Sequence, residues 1–447
     1  MSETTFASAL DARALGVLDS CTACGKCFEV CPMTGPAGLA GNDSGTVTSA
    51  VRDLIAGELG SATAERWAAV CSGSGFCIPA CPESVNPRFM LTLARLAVAK
   101  RKTSDQQRQV GAIAFRKMSK GVRVLSRMQM APDVLARFGD EEKDEGPIDV
   151  VFYTGCNLRK TPHIALLCFD IMDALGIRYK VMGGPQMCCG IIQLRSADLT
   201  VSENVSYRTS DRFAAARPQH VLAWCPTCHI QFSEVVLPGR RAAEPEKFGF
   251  EMAPFVVFLA ERLEQLRPHL KLRVEKRVAL HEHPGVAGVT ESAEKLLRAV
   301  PGLELVDVQQ PSVGYMCNQL NSLPAYKRDL HREVLEAAAA LKVDALAGVY
   351  HVCHRELCSH ERDWPFEVVN FLELIGASMG ISREDQFKRL KKLQDAGKIL
   401  ADVADLAREH RLPLDLVEDI VLGDLLGEQP LELRFPPPLD GEGTGAG

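Results

Sequence analysis

Two adjacent cysteines, Cys188 and Cys189, stand ahead of Gly190, with Cys156 upstream and Cys225 and Cys228 downstream. Neighbouring cysteines rarely bond to each other, and thiolates gathered in one place are good ligands for soft metals and iron–sulfur clusters. The chain has 16 cysteines, and residues 1–18 carry acids and no signal-peptide pattern, so ligation is expected rather than disulfides. Five convergent thiols point to a cluster; a zinc ion on four of them is the alternative.

The elements needed to bring these residues together are legible in the pattern. Residues 148–154, 178–182 and 220–224 read as strands, each running into one of the cysteine positions, and residues 164–175 and 202–216 read as the helices between them. Strand, helix, strand, helix, strand is a parallel α/β unit, whose functional crevice lies beyond the carboxyl ends of its strands. Gly155 and Gly190 would let the backbone approach a bulky ligand without a Cβ in the way. Cys168, inside an apolar helical run, reads as ordinary core.

A second cysteine region precedes this one. Cys21, Cys24, Cys27 and Cys31-Pro32 follow the C-x2-C-x2-C-x3-C-P run of bacterial ferredoxins. Cys71, Cys77 and Cys81-Pro82 repeat the frame with Ser74 in place of one cysteine. In ferredoxins the fourth cysteine of each run crosses to the other cluster. The resemblance therefore implies a [4Fe–4S] cluster on Cys21, Cys24, Cys27 and Cys81, leaving Cys31, Cys71 and Cys77 for a second site. Three cysteines suit a [3Fe–4S] cluster; a second [4Fe–4S] cluster completed by Ser74 or a solvent oxygen is the rival. The 81–87 stretch and the long separation of the motifs resemble the helical ferredoxin domain of succinate dehydrogenase iron–sulfur subunits.

The five-cysteine constellation itself resembles the CCG module of heterodisulfide reductase B and D subunits, with related modules in glycolate oxidase and anaerobic glycerol-3-phosphate dehydrogenase iron–sulfur subunits. That resemblance implies a noncubane iron–sulfur cluster on Cys156, Cys188, Cys189, Cys225 and Cys228, and disulfide cleavage there. Ferredoxin-type motifs and a CCG module in one chain resemble the D-type arrangement, a fusion of C and B subunits.

Beyond the module the chain repeats itself. A shift of 128 residues lays 278–284 on 150–156, Cys317 on Cys189 and Cys353 on Cys225, with strands expected at 278–281, 304–306 and 345–350 and helices at 292–299 and 326–341. The copy is degenerate: Pro284, Met316, Asn318 and Glu356 occupy the other ligand and glycine positions. What remains is a mixed set, His281, His283, Cys317, His351, Cys353, His354, Cys358 and His360, centred on His283, Cys317 and Cys353. It could hold zinc or another mononuclear metal, or its histidines could merely cap strand ends. The paired second cluster of the reductases, proposed to act on the other half of a disulfide, is not expected.

These readings give an α+β multidomain chain: a helical two-cluster ferredoxin-like domain (1–97), a basic helical connector and acidic linker (98–147), an intact α/β half (148–270), a degenerate half (271–380), both with parallel sheets, and a helical appendage with a disordered tail (381–447). Nine Lys/Arg face one acid, Asp105, over residues 100–127, a face that could dock an acidic partner or a membrane subunit, or simply be solvated. The appendage could also dock a partner subunit. Residues 368–375 read as an apolar helix. A net charge of −6 gives no reason to expect nucleic acid. No apolar run reaches membrane-spanning length, so a cytoplasmic protein, at most peripheral at the inner membrane, is expected.

No glycine-rich dinucleotide fingerprint follows a strand, so a flavoprotein partner would supply hydride chemistry, and a quinone-reactive membrane subunit is a further expected partner. The chain then reads as an oxidoreductase subunit, either acting on a thiol or disulfide at the CCG site or relaying electrons toward quinone. A zinc scaffold without redox work is hard to square with the intact 21–31 motif.

Overall fold

The computed structural model describes residues 5–139, 148–311 and 313–434. Most of the acidic linker and the glycine-rich tail expected from sequence lie outside these residues.

The amino-terminal region is helical. Its helices start where a side chain can satisfy the free amides of a first turn. Asp43 caps Ser44–Ala56 through the Thr46 amide at 2.8 Å, Ser61 caps Ala62–Val70 through Ala64 at 3.1 Å, and Asn86 caps Pro87–Lys100 through Phe89 at 3.1 Å. Pro87 at the first helical position has no amide to leave unpaired. These helices bury Val51, Leu54, Trp67 and Phe89 against one another. A long helix, Ser104–Arg127, leads out of the region behind a Thr103–Gln106 capping box.

Two four-stranded sheets follow. The first comprises β1 (Val150–Gly155), β2 (Tyr179–Gly183), β3 (His220–Ala223) and β4 (Glu251–Pro254), and the second β5 (Arg277–His281), β6 (Glu304–Val306), β7 (Ala345–Gly348) and β8 (Glu367–Asn370). Their orders are β2-β1-β3-β4 and β6-β5-β7-β8, with every pairing parallel. The two orders are the same, as duplication requires. The expected strands lie within a few residues of the observed ones, but β4 and β8 add an edge to each sheet. Residues 367–370 are strand, and the helix there is Phe371–Met379.

Alternation along β1 shows what each face meets. Val151 and Tyr153 join the core that contains the amino-terminal helices, whereas Val150 and Phe152 join the core shared with the second sheet. Both faces are buried, the usual condition of an all-parallel sheet. Between the sheets, Pro162–Ala174 packs on Phe371–Met379 and Phe255–Glu261 on Val289–Arg298. The helix after the first strand of each unit thus meets the helix after the last strand of the other, which relates the two units by a pseudo-two-fold arrangement.

The carboxyl-terminal appendage is not a free arm. Its buried Phe387, Leu390, Val417 and Val421 share a core with Val124, Leu125 and Met128 near the end of Ser104–Arg127. Ion pairs Lys160–Asp424 (2.7 Å), Arg355–Glu428 (2.7 Å) and Arg383–Asp170 (2.6 Å) fasten it to both sheet units. Much of the apolar surface of the appendage is thus buried within the chain, while Leu414 and Leu422 stay exposed.

Candidate metal centres

β1, β2 and β3 end side by side, and each delivers cysteines to the same spot. Gly155 closes β1 with φ +62, and a Cβ there would stand 3.0 Å from the Cys228 sulfur; the glycine is required by the crowding of thiols behind it. Gly190 also has positive φ, but a Cβ there would meet the Ser202 carbonyl at 2.8 Å. Its smallness therefore serves the packing of Leu199–Ala215, not the approach of a ligand. Cys225 is the residue that opens the helix Pro226–Ile230, and Cys228 lies one turn along it.

The loop of Cys188 and Cys189 is held by its carbonyls. The Tyr153 hydroxyl donates to Met187 O at 2.6 Å, Thr209 Oγ1 to Cys188 O at 3.0 Å, and Ser202 Oγ to Gly190 O at 3.1 Å. With the carbonyls tied back, the five sulfurs are close enough to perturb one another's ionisation, and Cys156 Sγ donates to Gly184 O at 3.4 Å. All five are buried free thiols. Hydrogen bonds from Cys156 and Cys189 hold Cys188 well below the ordinary thiol range, and Cys228 lowers Cys225 to about 7. Cys156, Cys189 and Cys228 are pushed up in return. Five buried free thiols gathered in one place form a donor set that suits a soft metal group.

The amino-terminal cysteines lie close enough to influence one another, Cys27 acting on Cys77 as well. Cys21 and Cys24 are close enough to raise Cys27, whose pKa burial has already pushed up to about 11. Cys71 and Cys31 do the same to Cys77, after burial, at about 12. Trp67 Nε1 donates to Cys31 Sγ at 3.4 Å, a contact that spacing could not announce. Cys81 ends the short helix Cys77–Ala80, which packs on Lys26–Glu29. Ser74 lines a small cavity with Cys31, Cys71 and Cys77, but its hydroxyl accepts from the Gly314 amide at 2.7 Å and contacts Ser72 Oγ at 3.1 Å.

Residues 150–233 match the profile of the cysteine-rich domain family CCG. This stretch is a CCG domain. Over 83% of its length the chain is 23% identical to the D subunit of the dihydromethanophenazine:CoB–CoM heterodisulfide reductase of Methanosarcina mazei, covering 96% of that protein. The D subunit from Methanosarcina barkeri is 22% identical over 83% of this chain and 97% of its own length. The B subunit of fumarate reductase (CoM/CoB) from Methanothermobacter marburgensis is 23% identical over 68% of this chain and 60% of its own. The likeness to D-type heterodisulfide reductase subunits therefore extends over most of the chain.

A narrow cleft between the amino-terminal region and the CCG domain is lined by Cys71, Arg88, Arg195, Thr227 and Tyr315. Thr227 lies between Cys225 and Cys228. Arg88, buried, binds the carbonyls of Gly73 and Gly285 and pairs with Glu234, so one guanidinium joins the 71–77 loop, the CCG domain and the second unit. Sequence reading passed over Arg88, because an arginine at the start of a helix carries no motif.

The second unit brings together only part of its mixed set. Single ligand atoms of His281, His283, Cys317 and Cys353 all lie within 4.8 Å of one another. His354 instead bonds Asp385 Oδ2 at 2.6 Å and faces His163, Cys358 is buried beneath the appendage, and His351 and His360 lie outside the four-residue group. His331, from Pro324–Ala340, and Glu356, three residues beyond Cys353 on its helix, also come within 4.8 Å of Cys317. The strand registers also correct the ungapped alignment. Val150 pairs with His220 and Val278 with Ala345, so the third strands are displaced by 125 residues, not 128. The residues opening the following helices, Cys225 and Tyr350, keep that displacement. Cys353 therefore occupies the place of Cys228, and Tyr350 that of Cys225.

Proposed function

We propose that the chain is the iron–sulfur subunit of a multi-subunit oxidoreductase, in which ferredoxin-type clusters exchange single electrons with a noncubane cluster in the CCG domain, where a thiol or disulfide is the substrate. Cys21, Cys24, Cys27 and Cys81 would hold a [4Fe–4S] cluster, Cys31, Cys71 and Cys77 a [3Fe–4S] cluster, and Cys156, Cys188, Cys189, Cys225 and Cys228 the noncubane one. When bound, such groups supply one-electron redox chemistry at potentials set by hydrogen bonds to sulfur and by burial.

The observation that carries the reading is the cleft on which Cys71 and Thr227 both open, since it brings the two cysteine regions to a common wall. Trp67 donates to the Cys31 sulfur from the protein side, and burial keeps water from the CCG thiols. The hold of Gly314 and Ser72 on the Ser74 hydroxyl favours three cysteine ligands at the second site. Heterodisulfide reductase and CoM/CoB fumarate reductase subunits among the relatives support an oxidoreductase assembly, with a flavoprotein and a quinone-reactive membrane subunit as its expected partners. No helix among the described residues is long and apolar enough to cross a membrane; a cytoplasmic protein docked on such a subunit fits this reading.

One observation favours a second reading, plain relay of electrons toward quinone. The second unit keeps two cysteines at its centre, so a mechanism needing matched clusters on both halves of a disulfide is closed to this chain. Adding disulfides, thiols or quinone analogues to the anaerobically reduced protein separates the two. A new paramagnetic species that depends on a thiol or disulfide supports catalysis at the CCG domain. Rapid oxidation by quinone analogues with no thiol-dependent change removes it in favour of relay.

A further inference from the structure

At the end of β5, His281 Nε2 lies 3.1 Å and His283 Nε2 3.4 Å from Cys317 Sγ. Around a tetrahedral zinc ion, nitrogen and sulfur ligands at about 2.05 and 2.3 Å stand roughly 3.5 Å apart. These two edges, and the 4.8 Å limit that encloses all four ligand atoms, have the size of one mononuclear coordination sphere.

The ring orientation points the same way. His283 Nδ1 is 2.7 Å from Val313 O, a contact that requires the proton on Nδ1 and leaves the Nε2 lone pair facing Cys317. Fixing a tautomer through a backbone carbonyl is the usual outer support of a metal-bound histidine. Two imidazoles and two thiols at one spot suit zinc better than an iron–sulfur cluster.

Comparison with the CCG domain explains why the second centre differs in kind. The position of Gly155, where a Cβ would crowd Cys228, is held in the second unit by His283. Its imidazole reaches toward Cys353, the counterpart of Cys228. An imidazole thus stands where the first unit leaves the space of a glycine.

We propose that His281, His283, Cys317 and Cys353 bind a single four-coordinate divalent ion of the zinc class. The centre faces a cavity of about 280 Å³ lined also by His331 and Glu282, so the ion is exchangeable from solvent. His331, buried and without a hydrogen bond of its own, and Glu356, held by Lys327 at 2.7 Å, border the sphere without completing it.

The test is metal analysis of the full chain purified anaerobically, with zinc or cobalt supplied. Wild type should carry about one zinc per chain besides its iron, and the cobalt form should show the intense visible bands of tetrahedral, thiolate-bound Co²⁺. His283→Asn and Cys353→Ser should each lose at least about nine-tenths of that zinc with iron unchanged. His331→Asn should keep it, and Cys225→Ala should lose iron while keeping zinc. If the His283 and Cys353 variants fail to fold, the wild-type cobalt spectrum still decides. Zinc well below stoichiometry after supplementation, an octahedral cobalt spectrum, iron that falls with Cys353→Ser, or a Cys317–Cys353 disulfide with no metal would each overturn the proposal.

Discussion

The two sheet units have the same strand order and meet across shared helices, yet their centres differ in chemistry. In the CCG domain the first strand ends in glycine and the cysteines come from the loops and helix beyond it. In the second unit the strand end carries His281 and His283, and the loops supply two cysteines. The scaffold gathers donor side chains beyond the carboxyl ends of parallel strands, and one position there is glycine in one unit and histidine in the other.

The largest effect should separate the halves. Cys188→Ala or Cys225→Ala should remove most of the CCG iron and abolish dye-linked turnover, whereas Cys317→Ala should leave iron nearly unchanged. Iron assays on the three proteins check this, and equal losses from both halves would erase the distinction. Gly155→Ala tests the role of space. With φ +62 and a Cβ 3.0 Å from Cys228 Sγ, it should cost about 1–2 kcal/mol in stability and lower CCG iron, both readable by thermal melting and iron analysis. Unchanged melting and iron content would show that the glycine is not needed there.

A smaller change belongs to the amino-terminal region. Ser74→Cys gives up the hydrogen bond from Gly314, at a cost of about 1 kcal/mol, and should convert the oxidised [3Fe–4S] EPR signal to that of a reducible [4Fe–4S] cluster. Two cubane clusters in anaerobic wild type would refute the ligand count.

The smallest effect concerns the appendage. Burial would raise the Glu428 pKa, but Arg355 and Lys160 bring it down to about 2. Its stabilising contribution is thus present above the unfolded value of about 4.5 and fades as pH falls from there toward 2. Hydrogen exchange in Gln386–Leu393 should rise over that window, and Glu428→Gln should remove this part of the pH dependence.

Much of this contrast was legible in the sequence, because cysteine spacing and hydrophobic runs are local. The strand ends beside Cys156, Cys188 and Cys225, the duplication, and the loss of ligands in the second half all follow from short stretches. What escaped depends on three-dimensional proximity. β4 and β8 run straight into the apolar helices Phe255–Glu261 and Phe371–Met379, so their few residues merge with a helical run. The three-residue slip between the units falls between strands, where an ungapped comparison could not detect it, so Cys353 was matched to the wrong partner. His331 reaches its site from Pro324–Ala340, and Arg88 and Trp67, though near the cysteines in sequence, follow no metal-ligand spacing that would join them to a site. The appendage looked free because its amphipathic stretches gave no indication that Ser104–Arg127 covers them.

The central claim is that the CCG domain carries a redox group in electronic contact with the amino-terminal cysteines, while the second unit carries none. An EPR-monitored reductive titration of the anaerobic wild type, Cys225→Ala and Cys353→Ala proteins tests it most directly. The account predicts a CCG-dependent signal in wild type that disappears in Cys225→Ala, persists in Cys353→Ala, and leaves the amino-terminal signals in place throughout. Loss of the same signal in Cys353→Ala, or its survival in Cys225→Ala, would contradict it.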